Sequence, residues 1–495
     1  DIGEVAKGIA GDYFVSFFDT SVSSDSRLSL SVELAGARMS KPDEVGALAV
    51  TPFPSFSTQA SSSSARDHQG QGPDQGQGPD QGQGPDQGQG PDQGQGPDQG
   101  QGQNPPPPSA RKIKPLENTS CYEVDAYSEA AHEVRGTEDG NFYMTVDANR
   151  VINFAEPAFE EVYSTPEGQP GSFRRQPSVM NMIPVGDGMF LSSMNATEST
   201  LLGGSVQSTE YEVGFGTIIK KATIKASDLA GTYGVVGLGY EIGTEGYGST
   251  AFIGDMSFSA DQVNFDMNMK QVDVAVDSCE NSTFTLTEEE ATTAGSASLS
   301  FDDARINITV DSSSDDAETL FTGFVRPDAK VLSLIYASDS GAKGSREDHD
   351  GRSRNIISEA NRQLILGVKK PTTLLNLSGK SYRLISMNFG FNAQGGRTVK
   401  QGELGTLSFA DGTLNVTGFT RDVFTKDSAS SESVTVTSSV TSGSAVSYSL
   451  DAQGKINFTL GTDVLTGYVA DDASLIVLSS DEDSSLGVYF AILNQ

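Results

Sequence analysis

The side chains able to do chemistry are few and far apart in this 495-residue chain. Its two cysteines, Cys121 and Cys279, sit in matching phrases, "TSCYEVDAY" and "DSCENSTFTL". In an oxidising compartment they could form one disulfide, closing a long loop and contributing about 2–4 kcal/mol. Two free thiols, or bonds between chains, are the alternatives, because sequence spacing does not fix Cα separation. The three histidines, His68, His132 and His349, lack the clustered spacing of a zinc or haem site and read as solvated surface groups. The acidic runs "DSSSDDAE" (311–318) and "SSDEDSS" (479–485) offer carboxylates, but without the ligand rhythm of an EF-hand or a nonapeptide calcium repeat. They read as solvated hairpin tips, with weak binding of calcium or another divalent cation as the residual reading. No Gly-x-Ser-x-Gly elbow, phosphate-binding Gly-Lys loop or His-Glu-x-x-His occurs, and no carboxylate pair stands out as acid and base. The expectation is no catalytic, cofactor or metal site, and no enzyme.

Charge narrows the partners. Sixty-six acidic against 33 basic residues leave a net charge of −33, which repels nucleic acid and anionic membranes. No apolar run approaches the ~20 residues of a transmembrane helix. The chain begins at Asp1 rather than Met, which fits a secreted protein whose leader has been removed. The sequons at Asn118, Asn195, Asn281, Asn307 and Asn457 are expected by coincidence in so Ser/Thr-rich a chain.

The elements that must position these residues are strands. Phrases such as "SVTVTSSVT", "RINITV" and "KINFTL" alternate apolar and polar residues, the period of a half-buried strand. The one helical candidate, "SRNIISEANRQLIL" (353–366), itself ends in a strand-like run. An opening phrase recurs as "IAGDYFVSFF" (9–18), "LAGTYGVVGL" (229–238) and "LSGKSYRLIS" (377–386). Later phrases recur in the same order. "VDANRVINF" (146–154), "FDDARINITV" (301–310) and "LDAQGKINFTL" (450–460) share an Ile-Asn pair, and "FTGFVRPDAKVLSLIYAS" (321–338) matches "LTGYVADDASLIVLSS" (465–480). "VGDGMFLSSM" (185–194) is a weaker third copy of that last phrase. Ordered agreement across several phrases marks an internal repeat.

The chain is therefore expected to be all-β, with three tandem antiparallel meander domains of about eight strands: 1–220, 221–370 and 371–495. In the third copy, runs near 381–393, 402–410, 413–425, 432–440, 444–451, 455–461, 464–470, 474–480 and 485–493 give eight or nine strands. Tight turns between consecutive strands favour a small up-and-down barrel over a sandwich. A glycine just ahead of the first aromatic, at Gly11, Gly231 and Gly379, is expected where a strand bends into the barrel.

The first copy is longer because an insertion, 41–120, interrupts it. That insertion holds the hexad Pro-Asp-Gln-Gly-Gln-Gly, repeated through 69–103, which has no apolar side chain to bury and reads as a flexible spacer. A charged loop at 338–355 interrupts the second copy.

The Gly-x-Tyr opening and Gly-rich meander resemble, in layout alone, calycin-type barrels and the barrel domains of Gram-negative surface proteins. The leading functional expectation is a bacterial secreted or cell-surface structural protein. It would act as an adhesive stalk or self-associating filament subunit, with its own copies or other surface proteins as partners. The terminal stretches 1–8 and 486–495 are candidate contacts. The alternative is a carrier of a small apolar ligand, weighed against interior residues Phe301, Phe409, Tyr448, Phe458 and Tyr468, which are bulky enough to fill a barrel.

Overall fold

The computed structural model describes residues 2–24, 27–41, 46–53, 123–129, 142–156, 158–164, 169–243, 246–278, 283–302, 305–311, 318–340, 344–347, 353–356, 359–482 and 484–494. Each copy closes as a barrel of eight antiparallel strands. In the first, the strand Gly11–Ser23 pairs with Ser205–Lys220 to complete a ring that runs through Arg27–Ser40, Ala47–Phe53, Phe142–Val146, Ile152–Glu156, Ser178–Pro184 and Met189–Leu202. The second runs from Gly231–Gly243 to Glu359–Lys369, and the third from Ser381–Phe391 to Ser485–Leu493, each closing on itself. The choice between barrel and sandwich falls on the barrel. Gly231 and Gly379 hold positive φ of 127° and 80° ahead of Tyr233 and Tyr382.

Several details depart from expectation. The third barrel has eight strands, because the expected break between 440 and 444 is a bulge within one strand, Thr435–Leu450. Gly443 and Ala445, the latter at φ 55°, absorb the irregularity without turning the chain. The segment 353–366 is strand, as Ser353–Ile356 and the start of Glu359–Lys369. Ala47–Phe53, inside the expected insertion, is a strand of the first barrel. The terminal stretch 1–8 lies mostly in a helix, Ile2–Ile9, whose Ala6 and Ile9 pack on Tyr13, Met39 and Leu48 to stopper that barrel. The other expected contact, 486–495, falls largely in Ser485–Leu493, which closes the third barrel. The same stopper recurs as Ile224 and Leu229 under Tyr233, and as Leu375 and Leu377 under Tyr382.

Three separate interiors follow from strand alternation: one centred on Tyr13 and Phe190, one on Tyr233 and Met256, one on Tyr382 and Phe419. The largest apolar cluster is a fourth, built from outward faces of all three barrels. Along Ser381–Phe391, Tyr382 and Leu384 point inward, while Ile385, Met387, Phe389 and Phe391 join the shared core. Phe14 stacks on Phe324 with centroids 4.2 Å apart, Phe215 on Phe490 at 4.6 Å, and Tyr240 meets Phe389 at 5.0 Å. These aromatic contacts join the first barrel to the second, the first to the third and the second to the third.

The barrels run side by side in one direction. First-barrel residues progressively further from the stopper, Phe14, Phe18 and Tyr211, meet Phe324, Phe389 and Phe424 respectively. The stoppered ends therefore lie together, and so do the opposite, open ends. The strand tops from which segments 54–122, 279–282, 312–317 and 341–358 depart all point to the open end.

Candidate functional site

At the stoppered end three equivalent hairpin turns converge, within Val185–Met189, Arg326–Val331 and Ala470–Leu475. Arg326, fully buried, joins them. Its Nε and Nη2 donate to Asp328 at 2.7 and 2.8 Å in a fork, Nη2 also donates to Asp472, and Nη1 donates to Ser474 Oγ at 2.8 Å and the Val185 carbonyl at 3.2 Å. A guanidinium suits this node because its planar donors reach several acceptors at once. Gly186, at φ 61°, makes room: a Cβ there would lie 2.8 Å from Arg326 Nη1. Burial tends to raise the Asp472 pKa, but Arg326 and Ser474 outweigh it and hold the carboxyl below its ordinary value. Each guanidinium nitrogen of Arg326 donates to an acceptor within the protein, so the node acts as a clasp.

At the open ends the barrel interiors turn polar. In the third, Arg421 donates to Asp463 and to the Tyr489 hydroxyl, which itself donates to Asp463. Above them Asn388 Nδ2 donates to Ser480 Oγ at 2.8 Å. In the second, Asn361 Nδ2 donates to Glu241 Oε2 at 3.0 Å, and Gln271 Nε2 donates to Asp273 at 2.9 Å. Burial, then the neighbouring Glu359 carboxylate, pushes the Glu241 pKa up to about 7. In the first, Arg175 lies 3.7 Å from Glu198 and 3.8 Å from Glu212. These groups are packed tightly. A Cβ at Gly487 would sit 2.2 Å from Asn388 Nδ2, and one at Gly248 would sit 1.9 Å from Asp273 Oδ1.

A cleft of about 440 Å³ opens between the second and third barrels, lined by Ala251, Ile253, Asn268, Lys270, Thr292 and Ser479 among others. Its origin is visible in the repeat. Ala251 pairs with Leu238, five residues after Tyr233, and Gln401 pairs with Met387, five residues after Tyr382. Gln401 fills the seam between third and first barrels, donating to the Met194 carbonyl at 2.9 Å beside Glu403, which accepts from Ser193. Alanine at the equivalent place leaves the seam between second and third barrels unfilled. Lys270 and Glu290 are the charged residues of the cleft lining, and Lys270 lies 3.9 Å from Glu288.

Most of the residues singled out from sequence fall outside the described part of the chain. Cys121, Cys279, His68, His132, His349 and the hexad tract lie outside the described residues, as does most of 311–318. The run 479–485 spans the end of one strand and the start of the next, at the open end. Among the described residues no three His, Cys, Asp or Glu side chains are placed to hold a metal ion, and no helix is long and apolar enough to cross a membrane. Phe409 and Phe458 lie in the third interior, with Tyr448 packed against it, and Phe301 lines the second interior. Tyr468 faces outward instead, into the shared core over Gly234, because its strand buries both faces. Periodicity alone gave no sign of the Arg326 node, although "FVRPDAKV" places an arginine in a turn flanked by apolar strands.

No known family profile matches the chain, and no curated protein matches it. Among solved structures, one from Nitrosomonas europaea, described only as a candidate AttH, shares 9% identity at a TM-score of 0.16, covering 54% of this chain and 93% of that one. A likeness that slight says nothing about what this chain does. The three closed antiparallel barrels in tandem fit the layout of small up-and-down barrel proteins without placing the chain in any family.

Proposed function

We propose that this chain is a secreted or cell-surface structural and interaction protein, whose working unit is the three-barrel body. One observation carries the reading. The barrels are clasped side by side at their stoppered ends, and their long connections depart from the opposite end. Such a body resists shear between its parts, because separating two barrels would expose phenylalanines and tyrosines to water. The filled interiors favour this role over carriage of an apolar ligand, since Phe409, Phe419 and Phe458 occupy the space a ligand would need. Strong acidity suits a saline exterior, where salt shortens self-repulsion to about 8 Å. Labelling intact source cells and their medium with a membrane-impermeant amine reagent tests the location. Label on this chain in either fraction is expected, and label seen only after lysis would overturn the reading.

A further inference from the structure

The strand Thr435–Leu450 has a partner on one edge only for most of its length. It pairs with Thr413–Lys426 along Thr435–Ser447, with a bulge, and with Lys455–Leu460 only at Tyr448, Ser449 and Leu450. No described strand pairs with the other edge of Thr435–Ser447, and no residue of that stretch is buried. It also lacks charge: "SVTVTSSVTSGSAVSYSL", 433–450, contains no Asp, Glu, Lys or Arg in a chain of net charge −33. The equivalent strand of the second barrel, Thr283–Asp302, has a similar free edge, yet carries Glu288, Glu289 and Glu290 in its middle. Charged residues on an edge strand block pairing with another chain, and the third barrel omits this guard.

The regular part of the strand, Thr435–Thr441, reads T-V-T-S-S-V-T, a near-palindrome. Val436 and Val440, 44% and 67% exposed, lie four residues apart on one face. In an antiparallel pair centred on Ser438, Val436 of each copy stands opposite Val440 of the other, Thr435 opposite Thr441, and Thr437 opposite Ser439. Every cross-strand pair is then β-branched with β-branched or hydroxyl with hydroxyl, the combinations that stabilise such ladders.

We propose that this edge is a two-fold interface through which two copies of the chain join by extending one sheet across both third barrels. The occupant is a second copy because the segment is complementary to itself, as an isologous contact requires, and because a neutral strip is where two strongly acidic bodies repel least. Main-chain hydrogen bonds supply the attraction and the valine pairs set the register. The inference deepens the self-association within the reading above and rests on it.

Sedimentation equilibrium of the full chain tests it. A monomer–dimer equilibrium is expected, with the dimer favoured as salt rises and screens the bodies from each other. Val440→Glu, at an exposed position the fold does not need, is expected to weaken the dimer by about tenfold or more, whereas Val440→Ile preserves it. In a Cys121→Ser, Cys279→Ser background, Ser438→Cys lies on the two-fold axis and is expected to form a disulfide-linked dimer far faster than Ser227→Cys at the stoppered end. A chain that stays monomeric at high concentration and salt, a dimer indifferent to Val440→Glu, or equal cross-linking at both positions would each overturn the interface. A surface-located chain that fails here keeps its proposed function and loses this contact; a dimer of a chain confined to the cell interior does the reverse.

Discussion

Two kinds of apolar region hold this molecule together, and they are built on opposite faces of the same strands. Each private interior is made by one copy alone: Tyr382, Leu407, Phe409 and Phe458 come from a single barrel. The shared core takes Phe215 from the first copy, Tyr240 from the second and Phe490 from the third, and no copy can bury its part without the others. A free barrel with those outward faces would expose an apolar patch of the kind that normally marks an interface. The copies are therefore interdependent parts of one body, unlike beads on a string, although tandem repetition alone suits either arrangement.

A paired truncation breaks or sustains that distinction. Phe490→Ala in the shared core and Phe409→Ala in the third interior each delete a buried ring and should cost about 3–5 kcal/mol. Their reach should differ. In segment-resolved hydrogen exchange, Phe490→Ala is expected to loosen Ser205–Lys220 of the first barrel, where Phe215 loses its stacked partner, while Phe409→Ala raises exchange in the third barrel only. If both variants affect the third barrel alone, the barrels are independent and the shared core contributes little.

The clasp comes next in size. Arg326→Met keeps an apolar stem but strips the donors from Asp328, Asp472, Ser474 and the Val185 carbonyl. Asp472 keeps a quarter of its side chain in water, so the expected cost is about 3 kcal/mol, at the low end for breaking a buried ion pair. Urea unfolding of the native chain should follow one transition, and the variant should show more than one, as the stoppered ends part before the interiors melt. An unchanged single transition would mean that the aromatic contacts alone couple the barrels.

The legibility of this architecture in sequence divides along the same line. Class, repeat and closure are readable because "KINFTL" and "RINITV" alternate with period two and recur in order. The shared core is also written there, in a different grammar. "SLGVYFAIL" (485–493) is apolar almost without interruption, and eight of its nine residues are buried. Continuous apolar runs signal strands covered on both faces, so this segment, with "VVGLGY" and "RLISMNFGF", marks where barrels meet. The helix Ile2–Ile9 is too short for its period to stand out, and its role as a stopper depends on Tyr13 and Leu48. The Arg326 node could not be read because its acceptors lie up to 148 residues from it along the chain.

The smallest effect separates the private interiors from the shared core by pH. Glu241 lies in the polar upper part of the second interior, with Glu359 and Asn361 on one neighbouring strand, Gly248 on the other and Asp273 on the strand beyond Gly248, with Glu289 past Asp273. Burial, reinforced by Glu359, raises its pKa to about 7. A carboxyl raised in the folded state binds its proton more tightly there than in the unfolded chain. Its contribution is thus fully present below the ordinary carboxylate range and is lost as pH rises through about 7. Glu241→Gln supplies the neutral form at every pH. It should leave stability nearly unchanged at pH 5 and raise it at pH 8.5 by about 1 kcal/mol, a value reduced because solvent reaches part of the group. In a chain of this size the expected gain in Tm is a few degrees or less. The seam of the shared core has a raised carboxyl of its own, Glu403, which accepts from Ser193 beside Phe215, so the comparison rests on the substitution: Glu241→Gln should leave the pH dependence of exchange protection at Phe215 and Phe490 as it is in the native chain. A Glu241→Gln variant whose stability tracks the native chain from pH 5 to 8.5 would show that the carboxyl stays ionised and that water fills the second barrel's mouth.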